Sequence, residues 1–476
     1  MSQIRKKWLE TVLKYKFNHD KPGSPTIWSP DLEKISRERI KEIQSEKLSV
    51  AFDYLYEESQ YYQEKFKQAK LKPQDIQSVE DLHKVPVTTK QEWLVNQTDN
   101  PPWGNFSPLS HKRWTTDGWM MFTTSGTTTV LPRVFRHTQH DLKMWAWLGA
   151  RALWAMGVRP GDVVINCADY GPAVAFWCLH YAMSLVGCPV IPCGGMNVQR
   201  RAFFINTYKP TVLLCTPSYA LYLGRTMHDL EYPTENSSIR IIITAGEPGP
   251  GIPSTKNRIE GLWGAKLHDD FGCTEVAMTP LGYTCEDEVN SVENPVNVHL
   301  MEDAYIPEVL NPDTLEPVRE GERGILVVSN LFSEAQPILR YMMGDWTSIT
   351  REPCACGRTH ARALGGLHGR PDDMIKIQGL AFFPSTIEDS VRKDPELGDE
   401  FRVELSKVGD MDRVKIIVEP KSAIPKSSYI DPREKIQEKL KGLLGVDVQV
   451  ELVPYGTLPR TQFKSKRVFD MREQCY

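Results

Sequence analysis

Hydrophobic positions in the middle of the chain switch repeatedly between a helical period and short unbroken runs. From His140 to Val158, HDLKMWAWLGARALWAMGV reads as an amphipathic helix. DVVINC (Asp162 to Cys167) follows as a strand, AVAFWCLHYAMSLVG (Ala173 to Gly187) as a helix and PVIPC (Pro189 to Cys193) as a strand. TVLLCTPSYALYLGRTM repeats strand then helix, with Ser218 as the expected N-cap. IRIIITAG (Ile239 to Gly246) is a β-branched run ending in glycine, as a buried parallel strand would. The first hundred or so residues are polar and helix-rich by pattern, with Trp and Tyr scattered through them. The alternation implies an α/β domain that binds ligands at the carboxyl ends of its strands.

Past Gly369 the texture changes. FRVELSKVGDMDRVKIIVEP (Phe401 to Pro420) reads as a hairpin around a Gly-Asp turn. DPREKIQEKLKGLLG (Asp431 to Gly445) reads as a helix, with Asp431 as N-cap and Pro432 in the first turn. Its apolar face is expected to hold Ile436, Leu440, Leu443 and Leu444. VDVQVELV adds a strand. These elements make an α+β module of roughly a hundred residues, an ordinary domain size. The expected division is 1–371 for a large N-terminal domain and 372–476 for a small C-terminal one.

Composition narrows the class. A chain of 476 residues suggests two or three domains, and 41% hydrophobic residues suffice for a large core. A net charge of −4 argues against non-specific nucleic-acid binding. No apolar run is long enough for a membrane span, and MSQIRKKWLE lacks the apolar stretch of a secretory signal. Of the 10 cysteines, Cys167, Cys178, Cys188, Cys193 and Cys215 sit in apolar stretches, as buried free thiols do. A reduced, cytoplasmic protein is expected.

Candidate chemistry lies in short segments between these elements. GRPDDMIKIQG (Gly369 to Gly379) sets Arg370 and two aspartates between glycines, which suits either a joint or a charged hairpin. MFTTSGTTT (Met121 to Thr129) offers hydroxyls and backbone N–H groups that can cradle a polyphosphate, or simply a Thr-rich turn. It is not a Walker A loop, because no Gly-Lys-Ser/Thr follows. DFGCTE is expected to put Phe271 on a turn and Glu275 four residues later, as a metal ligand or a helix cap. Lys464 and Lys466 in PRTQFKSKR are either a solvated basic tail or a source of a catalytic cation. Cys354-Ala355-Cys356 is too tight for a structural disulfide and well spaced for two thiolate metal ligands.

Taken with TAGEP (Thr244 to Pro248) and YMMGDW (Tyr341 to Trp346), these ordered motifs resemble the adenylate-forming enzymes. That superfamily holds acyl-CoA synthetases, luciferases and peptide-synthetase adenylation domains. The spacing and the CACGR run look most like the phenylacetate-CoA ligase family, and the resemblance covers the chain from about Gln60 to the end. It implies a large adenylate-forming α/β domain followed by a small mobile α+β domain that rotates about Asp372. The implied activity is an ATP-dependent, AMP-forming carboxylate:CoA ligase, acting on an aromatic or arylacetic acid through an acyl-adenylate.

The resemblance also implies roles for particular residues. Ser125, Gly126, Thr127 and Thr128 hold the β- and γ-phosphates of ATP, with Thr129 and Arg133 standing where the family has glycine and lysine. Ala245, Gly246 and Glu247 frame the adenine edge. Within Asp270, Phe271, Gly272 and Thr274, Phe271 stacks on adenine, and Glu275 ligates Mg²⁺. Asp345 takes the ribose hydroxyls, and Arg370 makes a second ribose or phosphate contact. Lys464 is the catalytic lysine, with Lys466 as its competitor. Cys285 and His299 complete a Cys₃His site with Cys354 and Cys356, a closed and hence structural zinc centre. The expected partners are ATP, CoA and an aromatic acid, with a homodimer left open. Two alternatives remain: transfer to a carrier-protein thiol, and a non-catalytic nucleotide-binding relative.

Overall fold

The computed structural model describes the chain except residues 17–19, 125–131, 169, 278–279, 291–294, 371–373, 378–379, 409–410, 424, 461–464 and 473–476. The first hundred residues are helical as their pattern predicts, with helices at Gln3–Lys16, Arg37–Glu58, Gln60–Gln68 and Lys90–Asp99. Their tryptophans face inward: Trp8, Trp28 and Trp93 are buried.

An antiparallel hairpin, β1 (Trp119–Thr123) and β2 (Val134–Thr138), then flanks the hydroxyl-rich loop. The central sheet begins with β3 (Val164–Asn166), β4 (Val190–Pro192), β5 (Val212–Cys215), β6 (Ile241–Thr244) and β7 (Lys266–Phe271). These strands run parallel in the order β4-β3-β5-β6-β7. The sheet continues antiparallel through β8 (Gly282–Tyr283) and β9 (Val298–Leu300). A separate three-stranded sheet follows, formed by β10 (Tyr305–Leu310), β11 (Gly324–Asn330) and β12 (Tyr341–Thr347). Strands β13 (Ile349–Thr350) and β14 (Arg362–Ala363) return to the central sheet and complete its nine strands beside β9.

The expected α/β alternation is present, and β6 is the buried parallel strand that its β-branched run predicts. The chain runs from β3 to β4 on one side and then crosses back to β5 on the other, which opens a crevice at the carboxyl ends of these strands. TAGEP and DFGCTE leave the carboxyl ends of β6 and β7 on this same edge.

Three local expectations need correction. Thr216, not Ser218, caps the helix Pro217–Asp229, because Pro217 takes the first helical position where its missing N–H costs nothing. The helix Ile430–Leu444 starts one residue early, so Asp431 lies in the first turn instead of capping it. Leu443 is exposed, since the i, i+4, i+8 stripe of Ile436, Leu440 and Leu444 already fills the buried face.

The C-terminal unit has its own core, which includes Ile387, Val403, Ile416, Ile436, Leu440 and Val450. It opens with the hairpin β15 (Ile375–Ile377) and β16 (Leu380–Phe382), then the helix Pro384–Lys393. The hairpin expected at Phe401 to Pro420 is present as β17 (Leu397–Val408) and β18 (Met411–Pro420). β19 (Val448–Leu452) and β20 (Val468–Asp470) join it in the order β19-β18-β17-β20.

Candidate active site and metal centre

The loop after β6 must turn at once, and Gly246 does so with φ +88°, a region that side chains disfavour. The turn presents Glu247 to two amides. Its Oε2 accepts from the Ser218 N–H at 3.1 Å, and its Oε1 accepts from the Ser465 N–H. The first donor is an otherwise unsatisfied amide at a helix N-terminus. The second belongs to the residue that follows Lys464 in sequence. The adenine-loop candidate Ala245 to Glu247 is thereby tied to the C-terminal basic segment.

Phe271 lies at the end of β7, not on a turn, and its ring packs on Gly282 of the paired strand β8. A Cβ at Gly282 would come within 2.3 Å of the ring, so only glycine admits it there. Asp270 is buried beside Asp269, and its Oδ1 has no hydrogen-bond partner among the described residues. Burial, with the neighbouring Asp269 charge, raises its pKa well above the carboxylate range, and burial pushes Asp269 up to about 7. Gly272 leads into a single 3₁₀ turn, Thr274–Val276, which carries Glu275.

Glu275 is buried and fully engaged. Its Oε1 lies 2.6 Å from Nη1 of Arg133, and its Oε2 accepts from the Cys273 thiol at 2.6 Å. Burial and the Glu275 charge push the Cys273 thiol well up, which keeps it a donor. Arg133 also reaches Thr124 Oγ1 at 3.4 Å and the Tyr341 hydroxyl at 3.5 Å. Tyr341 starts β12, and Asp345 follows on the same strand. Backbone bonds between Trp346 and both Gly369 and His368 bring the Arg370 segment alongside. Arg370 consequently grips Asp345 through two contacts at 3.1 and 3.3 Å.

Among the candidates, then, Glu275 stands with Cys273, and Asp345 stands with Arg370. Sequence reasoning gave Arg133 and Tyr341 no firm role; Arg133 had only its place where the family has lysine, and nothing local marked Tyr341. Ser125, Gly126, Thr127, Thr128, Asp372 and Lys464 lie outside the described residues. Lys466 is exposed and sits over the Phe469 ring, 5.0 Å from its centroid, on its own domain.

The four sulfur and nitrogen candidates do converge. The ligand atoms of Cys285, His299, Cys354 and Cys356 all lie within 4.8 Å of one another. Cys285 follows β8, and His299 sits in β9 opposite Tyr283, whose ring stacks on it. The C-x-C pair comes from the loop between β13 and β14, which turns at Gly357 with φ +82°. Sγ of Cys285 and Cys354 are 3.8 Å apart, and Cys356 Sγ lies 3.6 Å from His299 Nε2. Hydrogen bonds from Cys285 and Cys354 hold the Cys356 thiol far below the ordinary range. Three soft sulfurs and one imidazole nitrogen, mostly buried, fit the donor set of a closed tetrahedral zinc site.

The profile of the AMP-binding enzyme family matches residues 35–332, well over half the chain. The chain belongs to the AMP-binding enzyme family. A second profile, the AMP-binding enzyme C-terminal domain, matches residues 379–472. The phenylacetate-coenzyme A ligase of Thermus thermophilus is 31% identical over 463 residues, covering 94% of this chain and all of that protein. That of Escherichia coli is 29% identical over 446 residues, 93% of this chain and 97% of that one.

Among solved structures, 2-hydroxyisobutyryl-CoA ligase in the postadenylation state, in complex with 2-HIB-AMP, matches this AMP-binding enzyme with a TM-score of 0.89. It is 28% identical and covers 96% of this chain and 95% of the other. The same ligase with CoA in its thioesterification state matches with a TM-score of 0.71 over 96% and 94%. These likenesses support the enzyme class that the ordered motifs imply, an AMP-forming acid–CoA ligase working through an acyl-adenylate. They also bear out the large α/β domain with a smaller C-terminal one. No described helix is long and apolar enough to cross a membrane.

Proposed function

We propose that this enzyme joins an aromatic or arylacetic acid to CoA, with the large unit (1–371) binding ATP and acid and the small unit (372–476) supplying Lys464. The observation that carries the reading is the gathering of Glu275, Asp345 and Arg370 in a fold shared over its length with ligases named for phenylacetate. Each residue has a chemical task. Asp345 takes the ribose hydroxyls while Arg370 holds its carboxylate in place. Phe271, backed by Gly282, would stack on adenine. Glu275 would hold Mg²⁺, which neutralises phosphate charge as the carboxylate attacks. Lys464 would offset the repulsion between the two anions at the α-phosphate.

The acyl group then passes to the CoA thiol, a step that does not need Lys464. The greater likeness to the postadenylation form than to the thioesterification form supports two arrangements of the small unit, exchanged by rotation about Asp372. Cys285, His299, Cys354 and Cys356 would hold a structural zinc. Thiols held as metal ligands would suit a reduced, cytoplasmic setting.

A second reading of the substrate has its own support. The high-scoring structure belongs to a ligase of a small aliphatic hydroxy acid, 2-hydroxyisobutyrate. One screen decides: AMP release with ATP, CoA and a panel of arylacetic, benzoic and short branched hydroxy acids. Preference for an arylacetate supports the proposal. Preference for the branched acid replaces it, and AMP release without need of CoA points to another acceptor.

A further inference from the structure

Arg133 is a buried cation, 8% exposed, at the end of the hydroxyl-rich loop. The Thr124 N–H donates to its carbonyl at 3.1 Å, so the base of that loop is closed just where Arg133 enters. Among the described residues its guanidinium meets one anion, the Glu275 carboxylate at 2.6 Å, and two neutral hydroxyls, of Thr124 and Tyr341. Glu275 in turn meets Arg133 on one oxygen and a neutral thiol on the other, with the Tyr341 hydroxyl also bonded to it and the Arg370 charge close by. The nearby Arg370 is engaged by Asp345.

We propose that Arg133 is a built-in counter-ion for Glu275 that a divalent cation must displace, so that metal binds well only together with the phosphates of ATP. The inference rests on the reading of Glu275 as the Mg²⁺ ligand. Without nucleotide the pair is neutral, and neither member is left as an unpaired buried ion, a strongly unfavourable state. A divalent cation arriving alone at Glu275 either faces the guanidinium or evicts it. Once evicted, Arg133 keeps, of its present contacts among the described residues, the hydroxyls of Thr124 and Tyr341, and these cannot neutralise it. A polyphosphate brings the missing negative charge. Metal then takes the carboxylate while Arg133 turns to the phosphates, and each ligand removes the cost of admitting the other. Such coupling is reciprocal and commonly worth about 5- to 150-fold in affinity.

The test is Mn²⁺ binding, read by electron paramagnetic resonance on the full chain. It is done with and without an ATP analogue carrying a methylene β,γ bridge. Wild type should bind Mn²⁺ weakly alone and much more tightly with the analogue. R133Q should bind Mn²⁺ alone about tenfold more tightly than wild type and gain little from the analogue. If R133Q does not fold, R133K carries the same test. Its point charge on another stem lacks the planar fork and should hold Glu275 less well, giving about threefold tighter binding of Mn²⁺ alone. Mn²⁺ binding that matches wild type with and without the analogue overturns the proposal. E275Q separates the two levels. If E275Q binds Mn²⁺ with the analogue as well as wild type does, the assignment of Glu275 to metal fails, and the coupling fails with it. If E275Q abolishes binding while R133Q behaves as wild type, only the coupling is wrong.

Discussion

Arg258 of the large unit ends on Asp399 of the small one, with Nη1 2.5 Å from Oδ1. The same guanidinium donates to the backbone carbonyls of Arg392, Asp394 and Leu397, so one side chain holds four acceptors across the interface. Arg225 pairs with the other oxygen of Asp399, which is buried, and these cations keep its carboxyl below the usual range. If the small unit rotates as proposed, this cluster has to open first.

Arg258→Ala is therefore expected to slow adenylate formation, on the order of tenfold, and to spare or quicken thioester formation from supplied acyl-adenylate. Arg225 remains to balance Asp399, so the loss should stay below the about 3–5 kcal/mol typical of leaving a buried charge unpaired. Separate assays of the half-reactions check this, and equal rates in both for variant and wild type would remove the latch from the account.

Lys464→Ala should lower adenylation by about 100- to 1000-fold, the usual cost of losing one preorganised charge at a developing anion. Transfer from supplied acyl-adenylate to CoA should persist. Lys466→Ala should be mild, because that lysine rests on Phe469 of its own domain. Pyrophosphate exchange measures the first step. A severe Lys466→Ala defect beside a normal Lys464→Ala enzyme would reverse the assignment.

Protein purified without added zinc should carry about one zinc per chain. Cys354→Ser combined with Cys356→Ser should lose it and lower the melting temperature of the large unit, since metal-binding energy here is folding energy. Destabilisation should spread, because Arg358 in the same loop pairs with the buried Glu33 at 2.7 Å and donates to the Thr26 carbonyl. Elemental analysis and a thermal melt are the measurements. A metal-free yet fully stable protein would show that the thiols merely neighbour one another.

Gly282→Ala should push the Phe271 ring off the β8 backbone, since the added Cβ would lie 2.3 Å from the ring. Overpacking of this kind costs about 1–3 kcal/mol in stability. The sharper readout is kinetic: KM for ATP should rise more than KM for the acid. Equal rises in both would mean that Phe271 is only a core ring.

Legibility from the sequence followed the range of the interactions. The β-branched run of β6 and the alternation of β17 and β18 are local signals, and they sit where their patterns place them. Ser218 was misjudged as a cap because Pro217 shifts the helix start, a competition between neighbours that composition alone does not resolve. Cys285 lies 69 residues from Cys354, and no periodicity links them; only the family resemblance paired them. The Arg133–Glu275 and Arg258–Asp399 pairs have no local signature at all, since a charged residue with a distant partner reads like any solvated one.

Glu247 has a consequence for the order of events. Its carboxylate is shared between the amide of Ser218 beneath the nucleotide loop and that of Ser465 on the small unit. If the small unit swings as proposed, the second contact exists only while that unit is docked. If, as proposed, Ala245 to Glu247 frame adenine and Lys464 is the catalytic lysine, each swing that withdraws the lysine also slackens the frame around the nucleotide. Departure of the lysine and loosening of the grip on AMP then become a single event, timed by one side chain.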